Sequence, residues 1–377
     1  FLYFIGACVM QGSTILWATA MLVGVALGSQ AHASQALCER CPLCEHQWAL
    51  SCVWSSHPRA VDSSAIKRCL QAALNNSLVG QPEAAATINR MMQLKLDNPE
   101  RATVLHFAGD NGVGKTHSAF LISRALSLRL AGGSDRRRGE MLVSVPTGFA
   151  GMDLREIRRA VVSMIVSHLR SFPNGIILVD DVQNFEEEHF QMLSPLLGRG
   201  PPYFPEHPDV ALNKATVILT SDFGKAGRTQ GLSERELEAM SADALRDAFD
   251  HIDLRCVTTI PFKPFTAGYA KELIRHHVET LPCRVPAVAT ASVTPEAVSW
   301  LLRDMQERDQ ITLENGRAVS QRLSSSEVEG KLSVHFAMTQ TPADARLSVQ
   351  LDVVDSAGTA ATVLRVSNDL DSRFIEL

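Results

Sequence analysis

The sequence predicts an α/β fold: a parallel sheet with helices on both faces, followed by a smaller α+β unit. Three observations predict it. Short, wholly apolar runs alternate with helical patterns from Thr103 to Ile260, and strands apolar on both faces belong to buried parallel sheets. A glycine-rich turn, Gly109 to Thr116, joins the first apolar run to a helix. After Pro261 the order changes to helices first and alternating segments last. At roughly 150 residues per domain, the 377 residues allow two or three domains.

The elements follow in order. Ile66, Leu70, Ala73 and Leu74 recur at helical spacing over Ser63–Asn75. The Gly80-Gln81 step ends that helix, and Pro82 suits the first turn of the next, which runs to about Leu96. Thr103–Ala108 reads as a buried strand, and a helix follows the glycine turn to about Arg129. Arg136–Arg138 sit in an exposed connection, and Met141–Val145 is a second strand. Asp153 and Glu156 form a capping box ahead of the stripe Ile157, Val161, Ile165 and Leu169. Ile176–Val179 is a third strand, Glu186–Leu197 a helix, Ala215–Thr220 a fourth strand and Arg255–Ile260 a fifth. Beyond Pro261, Ala267–Thr280 and Pro295–Glu307 read as helices, with Thr294 as N-cap, and another helix starts near Gly316. Ser333–Met338, Leu347–Val354 and Thr362–Val366 read as strands.

Composition excludes several classes. Hydrophobic residues make up 45%, enough for a real core, and 23 Gly and 17 Pro without period exclude collagen-like or low-complexity chains. The formal net charge of −5 argues against a nucleic-acid partner.

The N-terminus reads as an address. No charged residue precedes Glu39, Ile15–Leu27 is almost purely apolar, and Ala31-His32-Ala33 is a small-x-small cleavage pattern. Residues 1–33 are therefore expected to be a signal peptide, or alternatively an uncleaved anchor over Phe1–Leu27. Both readings place the rest in the secretory pathway, with membrane association in the second. Residues 34–60 form a Cys-rich segment in which Cys38, Cys41, Cys44 and Cys52 precede Cys69. In an oxidising lumen these are expected as disulfides; in a reducing compartment the same spacing suits zinc. Residues 61–262 are expected to form the core domain and 263–377 a small lid.

The chemistry is carried by Gly109, Asp110, Asn111, Gly112, Val113, Gly114, Lys115 and Thr116, the pattern G-x-x-x-x-G-K-T. Glycines let backbone N–H groups curl around phosphate oxygens, and the helix N-terminus beyond favours anions. Lys115 is expected on the β- and γ-phosphates of ATP and Thr116 on Mg²⁺. Asp180 ends an apolar strand, where a carboxylate helps hold Mg²⁺, and Asp181 beside it is the candidate base.

Leu78-Val79-Gly80-Gln81, the Gly109–Thr116 loop, Asp180-Asp181, Ile218–Gly224 and Pro261-Phe262-Lys263-Pro264-Phe265 together resemble the Clp/torsin branch of the AAA+ ATPases, and within it the torsins. The resemblance implies a P-loop AAA+ sheet with a lid. It implies an ATP-hydrolysing, chaperone-like protein of the endoplasmic reticulum lumen, acting on proteins or protein–membrane assemblies as a homo- or hetero-oligomer. By the same resemblance Gly80 and Gln81 border the adenine pocket, Asp222 is the sensor at the end of the fourth strand, and Arg317 in Asn315-Gly316-Arg317 is the lid sensor.

The sequence departs from that pattern at several positions. Asp181 stands where the family usually has Glu, and Asp222 where it usually has Asn; an ionised acid donates no hydrogen bond. His251 stands where Clp proteins carry the arginine finger, and Arg246 and Arg255 are out of position. Torsins also lack the finger, which a membrane-anchored partner supplies, so the resemblance implies such an activator here. Lys115-Thr116 differs from the Lys-Asn of animal torsins, and the C-terminal strands are more Clp-like. Gly148-Phe149-Ala150-Gly151 reads as a strand-to-helix turn with Phe149 packed inward, so no substrate threading is expected. Two alternatives stand beside the leading reading: a self-sufficient oligomeric disaggregase, and an ATP-gated binding module with little turnover.

Overall fold

The computed structural model describes residues 63–126, 142–145, 151–184, 187–198, 200–222, 229, 231–248, 257–339, 341, 346–356, 359–368 and 371–376. The expected address (1–33), the Cys-rich segment (34–60), Arg136–Arg138, Phe149, His251 and Arg255 lie outside the described residues.

Helix α1 (Ser63–Ser77) buries Ile66, Leu70, Ala73 and Leu74, the predicted stripe. Gly80 then takes φ +77, and a Cβ there would lie 2.8 Å from the Tyr269 ring, so the turn requires glycine. Helix α2 (Pro82–Asp97) begins on its proline. The core continues through β1 (Thr103–Gly109), α3 (Lys115–Leu126), β2 (Leu142–Val145), α4 (Leu154–Ser171), β3 (Ile176–Val179), α5 (Glu187–Met192), β4 (Thr216–Asp222), α6 (Glu234–Ala248) and β5 (Val257–Pro261). Helix α4 opens on the predicted capping box: Glu156 N donates to Asp153 Oδ1 at 2.9 Å and Asp153 N to Glu156 Oε2 at 3.3 Å.

These five strands form a wholly parallel sheet in the order β2-β3-β4-β1-β5. Alternation sends Ile176, Leu178 and Ile218 into the core shared with α1, α2 and α3. Ile177, Val179, Val217 and Leu219 pack on the other side with α4. Each such side chain contributes roughly 1.5–3 kcal/mol when fully buried. Register matters most for function. Gly109 lies beside Asp222 and Val179 beside Leu219, so the carboxyl ends of β1, β3 and β4 line one edge. In open α/β sheets that edge is where ligands bind.

The second unit contains α7 (Ala267–Glu279), α8 (Leu281–Arg284), β6 (Val288–Val293), α9 (Pro295–Glu307), α10 (Gln310–Glu314), α11 (Gly316–Arg322) and α12 (Glu329–Thr339). It closes with β7 (Leu347–Ser356), β8 (Thr359–Asn368) and β9 (Asp371–Glu376). Its sheet runs β6-β7-β8-β9; β6 and β7 are parallel and the other pairs antiparallel. It has its own apolar cluster, with Ile274, Leu301, Val319, Leu332 and Leu351. Thr294 caps α9, accepting from Ala297 N at 3.2 Å.

The expected strand at Ser333–Met338 is instead part of α12. Its alternating apolar residues suggested a strand, but the buried residues are Leu332 and His335, a helical spacing, and Met338 is 80% exposed. The expected helix over Glu186–Leu197 shortens to α5 and continues as turns that still bury Leu193 and Leu197. Helix α6 and strands β6 and β9 were not expected. For α6 a signal was present, since Ser233-x-x-Glu236 is a capping box, with Ser233 N donating to Glu236 Oε2 at 2.8 Å. Among the described residues no helix is long and apolar enough to cross a membrane.

Candidate functional site

The site is built where β1, β3 and β4 end. From Gly109 the chain passes through the glycine loop into α3, whose first residues are Lys115 and Thr116. Gly112 takes φ +76, and a Cβ there would meet Glu314 O at 2.0 Å, so the loop apex requires glycine because the second unit rests on it.

Lys115 is buried. Its ammonium donates to Gly109 O at 3.0 Å and Asp110 O at 2.7 Å, and is ion-paired with Asp222. Thr116 Oγ1 donates to Asp180 Oδ1 at 2.9 Å, and Thr220 Oγ1 donates to the same oxygen at 2.6 Å. Asp181 adopts φ +54 and its N–H donates to Thr220 Oγ1 at 2.9 Å. Gln183 Nε2 donates to Asp181 Oδ1 at 3.4 Å, while its Oε1 accepts from Asp222 N at 3.2 Å. Burial pushes the Asp181 carboxyl above the usual carboxylate range, and the charges of Asp222 and Asp180 push it the same way. Burial likewise raises Asp110, which accepts from Thr229 Oγ1.

A cavity of about 750 Å³ opens above these groups. The loop from Asn111 to Thr116 lines it, with Asp180, Asp181 and Asp222 at one side. Leu78, Val79 and Leu273 line it as well, and Arg317 at the start of α11 forms part of its second-unit wall. Gly80, Gln81, Gly109 and Asp110 are not among the residues that line it. Gln81 is buried, with both amide ends bonded to the backbone of Lys263, at 2.7 and 2.9 Å. It therefore ties the start of α2 to the segment after β5. The carboxylate of Asp222, read from the sequence as the sensor, is engaged by Lys115. Thr220, Gln183 and Asn315 were not read as site-shaping residues; strand register and a tight turn bring them in.

The donor set fits a magnesium-bound nucleotide triphosphate. A hydroxyl and a carboxylate, Thr116 and Asp180, are hard oxygen ligands of the kind Mg²⁺ takes together with phosphates. Among the described residues no group of three or more His, Cys, Asp or Glu is placed to hold a metal ion. Cys69 in α1 and Cys283 in α8 are both disulfide-bonded, and Cys283 lies at the cavity.

The sheet order, the glycine loop at the end of β1 and the paired carboxylates at the end of β3 define a P-loop core of AAA+ fold. No protein-family model matches the chain. It is 25% identical over 202 residues to the chaperone protein ClpD of Arabidopsis thaliana, a match covering 48% of this chain and 20% of that protein. It is 24% identical over 234 residues to the chaperone protein ClpB of Bacillus anthracis, covering 57% and 26% respectively. The chain thus spans about a fifth to a quarter of these relatives. Its fold is similar to that of Hsp104 of S. cerevisiae in its ADP complex, with a TM-score of 0.59 and 17% identity over 80% of this chain and 52% of that one. A closed state of Hsp104 with ATPγS and casein gives 0.53 and 15% identity, covering 76% and 49%. The sequence matches support low-identity homology with the Clp chaperones, and the likeness to Hsp104 shows a shared AAA+ fold.

Proposed function

We propose that the chain is an ATP-hydrolysing remodeller of proteins or protein–membrane assemblies in the endoplasmic reticulum lumen, torsin-like in needing a partner's arginine. The observation that carries the ATPase reading is the convergence of Lys115, Thr116, Asp180 and Asp181 on one cavity. The Clp and Hsp104 similarities support it, since the Hsp104 structures hold ADP or ATPγS. The apolar segment at Ile15–Leu27 and the disulfide-bonded Cys69 and Cys283 support an oxidising compartment.

In this reading Lys115 leaves Asp222 to neutralise the β- and γ-phosphates. Thr116 and Asp180 hold Mg²⁺, which supplies charge neutralisation and phosphate orientation when bound. Asp181 orients the attacking water and takes its proton. Arg317, on the second-unit wall, reads the γ-phosphate. His251, at the finger position, carries no permanent guanidinium charge, so a partner subunit is called on for that role.

The Lys115–Asp222 ion pair favours one second reading, an ATP-gated binding module. Triphosphate must displace Asp222 there, so occupancy alone reshapes the tip of β4.

Nucleotide titration and single-turnover hydrolysis, with and without lumenal extract, separate these readings. Lys115→Ala is expected to weaken ATP binding at least about tenfold. Asp181→Asn is expected to retain ATP while hydrolysis falls about 10²-fold or more. Extract is expected to accelerate wild type by on the order of 10³. Fast turnover alone would instead identify a self-sufficient disaggregase, and binding without turnover in either condition a gated module.

A further inference from the structure

The water-activating side of the site is short of one part. Asp222 stands where a hydrogen-bond donor would steady the attacking water, but an ionised carboxylate has none. Asp181 has one methylene less than a glutamate, so its carboxylate has less reach and depends more on how its backbone and side chain are held. Two contacts hold it. Thr220 Oγ1 accepts from the Asp181 N–H, fixing the left-handed backbone at φ +54. Gln183 reaches back and donates from Nε2 to Asp181 Oδ1 at 3.4 Å.

The other end of the same amide accepts from Asp222 N at 3.2 Å. These two bonds fix the sense of the amide, because a carboxylate only accepts and a backbone N–H only donates. Gln183 therefore clips the residue after β3 to the tip of β4. A glutamate at 183 would keep the acceptor and lose the donor. A lysine would keep a donor and lose the acceptor. The longer of the two bonds lies on Asp181, as is usual for catalytic contacts that tighten only when substrate is present.

We propose that Gln183 is a positioning residue for hydrolysis, holding the Asp181 carboxylate at the angle from which it meets the attacking water. The inference rests on the ATPase reading above. In that step the water oxygen bonds to the γ-phosphorus and the bond to the bridging oxygen breaks, its electron pair leaving with ADP. The water proton passes to Asp181.

The test is single-turnover hydrolysis of ATP by the full chain, with and without lumenal extract, with ATP affinity and thermal midpoint measured on the same protein preparations. Gln183→Glu is expected to slow hydrolysis by about tenfold or more. Gln183→Lys is expected to stay within about threefold of wild type and Gln183→Ala to fall between them, with ATP affinity held within about twofold throughout. A residue of purely structural importance gives three equal rates, or losses that follow the thermal midpoint; either result overturns the proposal and leaves the ATPase reading standing. Wild type that binds ATP but hydrolyses none, either alone or with lumenal extract, overturns the proposal and favours the gated module. Wild type that binds no ATP overturns both.

Discussion

His106 sits in the middle of β1, wholly buried, with Nε2 2.7 Å from Ser221 Oγ and Nδ1 3.4 Å from Thr259 Oγ1. It thus joins β1 to both neighbouring strands just beneath the glycine loop. Burial, and then the charge of Lys115, hold its pKa down at about 3 against an ordinary 6.5. The folded chain keeps this ring neutral, whereas the unfolded chain protonates it near pH 6.5. Its contribution to stability is therefore complete above pH 6.5 and is lost as pH falls from there towards 3. At pH 5 the loss amounts to about 2 kcal/mol. His276 and His277 are depressed by burial too, so the comparison must be with a variant. The unfolding free energy from urea titrations is expected to fall further between pH 7 and pH 5 for wild type than for His106→Gln, by about 2 kcal/mol. Equal falls would mean that His106 is not the group being protonated. Residues like this one were silent in the sequence. The glycine loop and Asp180-Asp181 were legible because one contiguous motif and one strand end carry their chemistry. His106, Thr220 and Gln183 acquire theirs only from the register of three strands.

At the scale of elements, legibility followed burial. Helices α4 and α9 and strand β3 were readable because caps and apolar period agree with what the fold buries. Helix α12 was misread because its apolar residues alternate while the core selects only every third or fourth position. Two of its residues test the difference. In a strand Leu332 and Val334 would share a face and both matter. In the helix Leu332 is buried in the second unit's core, while Val334 is 60% exposed. Leu332→Ala is expected to destabilise by about 2–5 kcal/mol, and Val334→Ala by less than about 0.5 kcal/mol. Chemical denaturation of the two variants checks this, and comparable losses would restore the strand register. Strands β6 and β9 were missed for a different reason: each is placed by pairing with a neighbouring strand of the second sheet, which local sequence does not report.

At the scale of the molecule, the two units meet on the glycine loop, and one residue carries much of the junction. Asn315 is buried between α10 and α11 at φ +49, ψ −130. Its Nδ2 donates to Asn111 O at 2.9 Å and its Oδ1 accepts from Phe265 N at 2.8 Å. Beside it Gly316 N donates to Gly112 O at 3.1 Å. The second unit is thereby bonded to the apex of the loop expected to hold phosphate, so a shift of either is felt by the other. The backbone here is strained for a non-glycine residue, by about 1–3 kcal/mol, and it persists because the side chain is bonded at both ends. Two substitutions separate strain from bonding. Asn315→Ala keeps the strain and leaves the buried Phe265 N–H unpaired, about 1–3 kcal/mol, along with the part-buried Asn111 carbonyl. Asn315→Gly loses the same bonds but relieves the strain, so it is expected to be milder by about 1 kcal/mol. If Asn315 joins the units, both variants should unfold in two resolved steps by calorimetry where wild type unfolds in one, whatever their difference in total stability. If the junction is held instead by Gly316 and apolar packing, both variants will keep the single wild-type transition and only its midpoint will move.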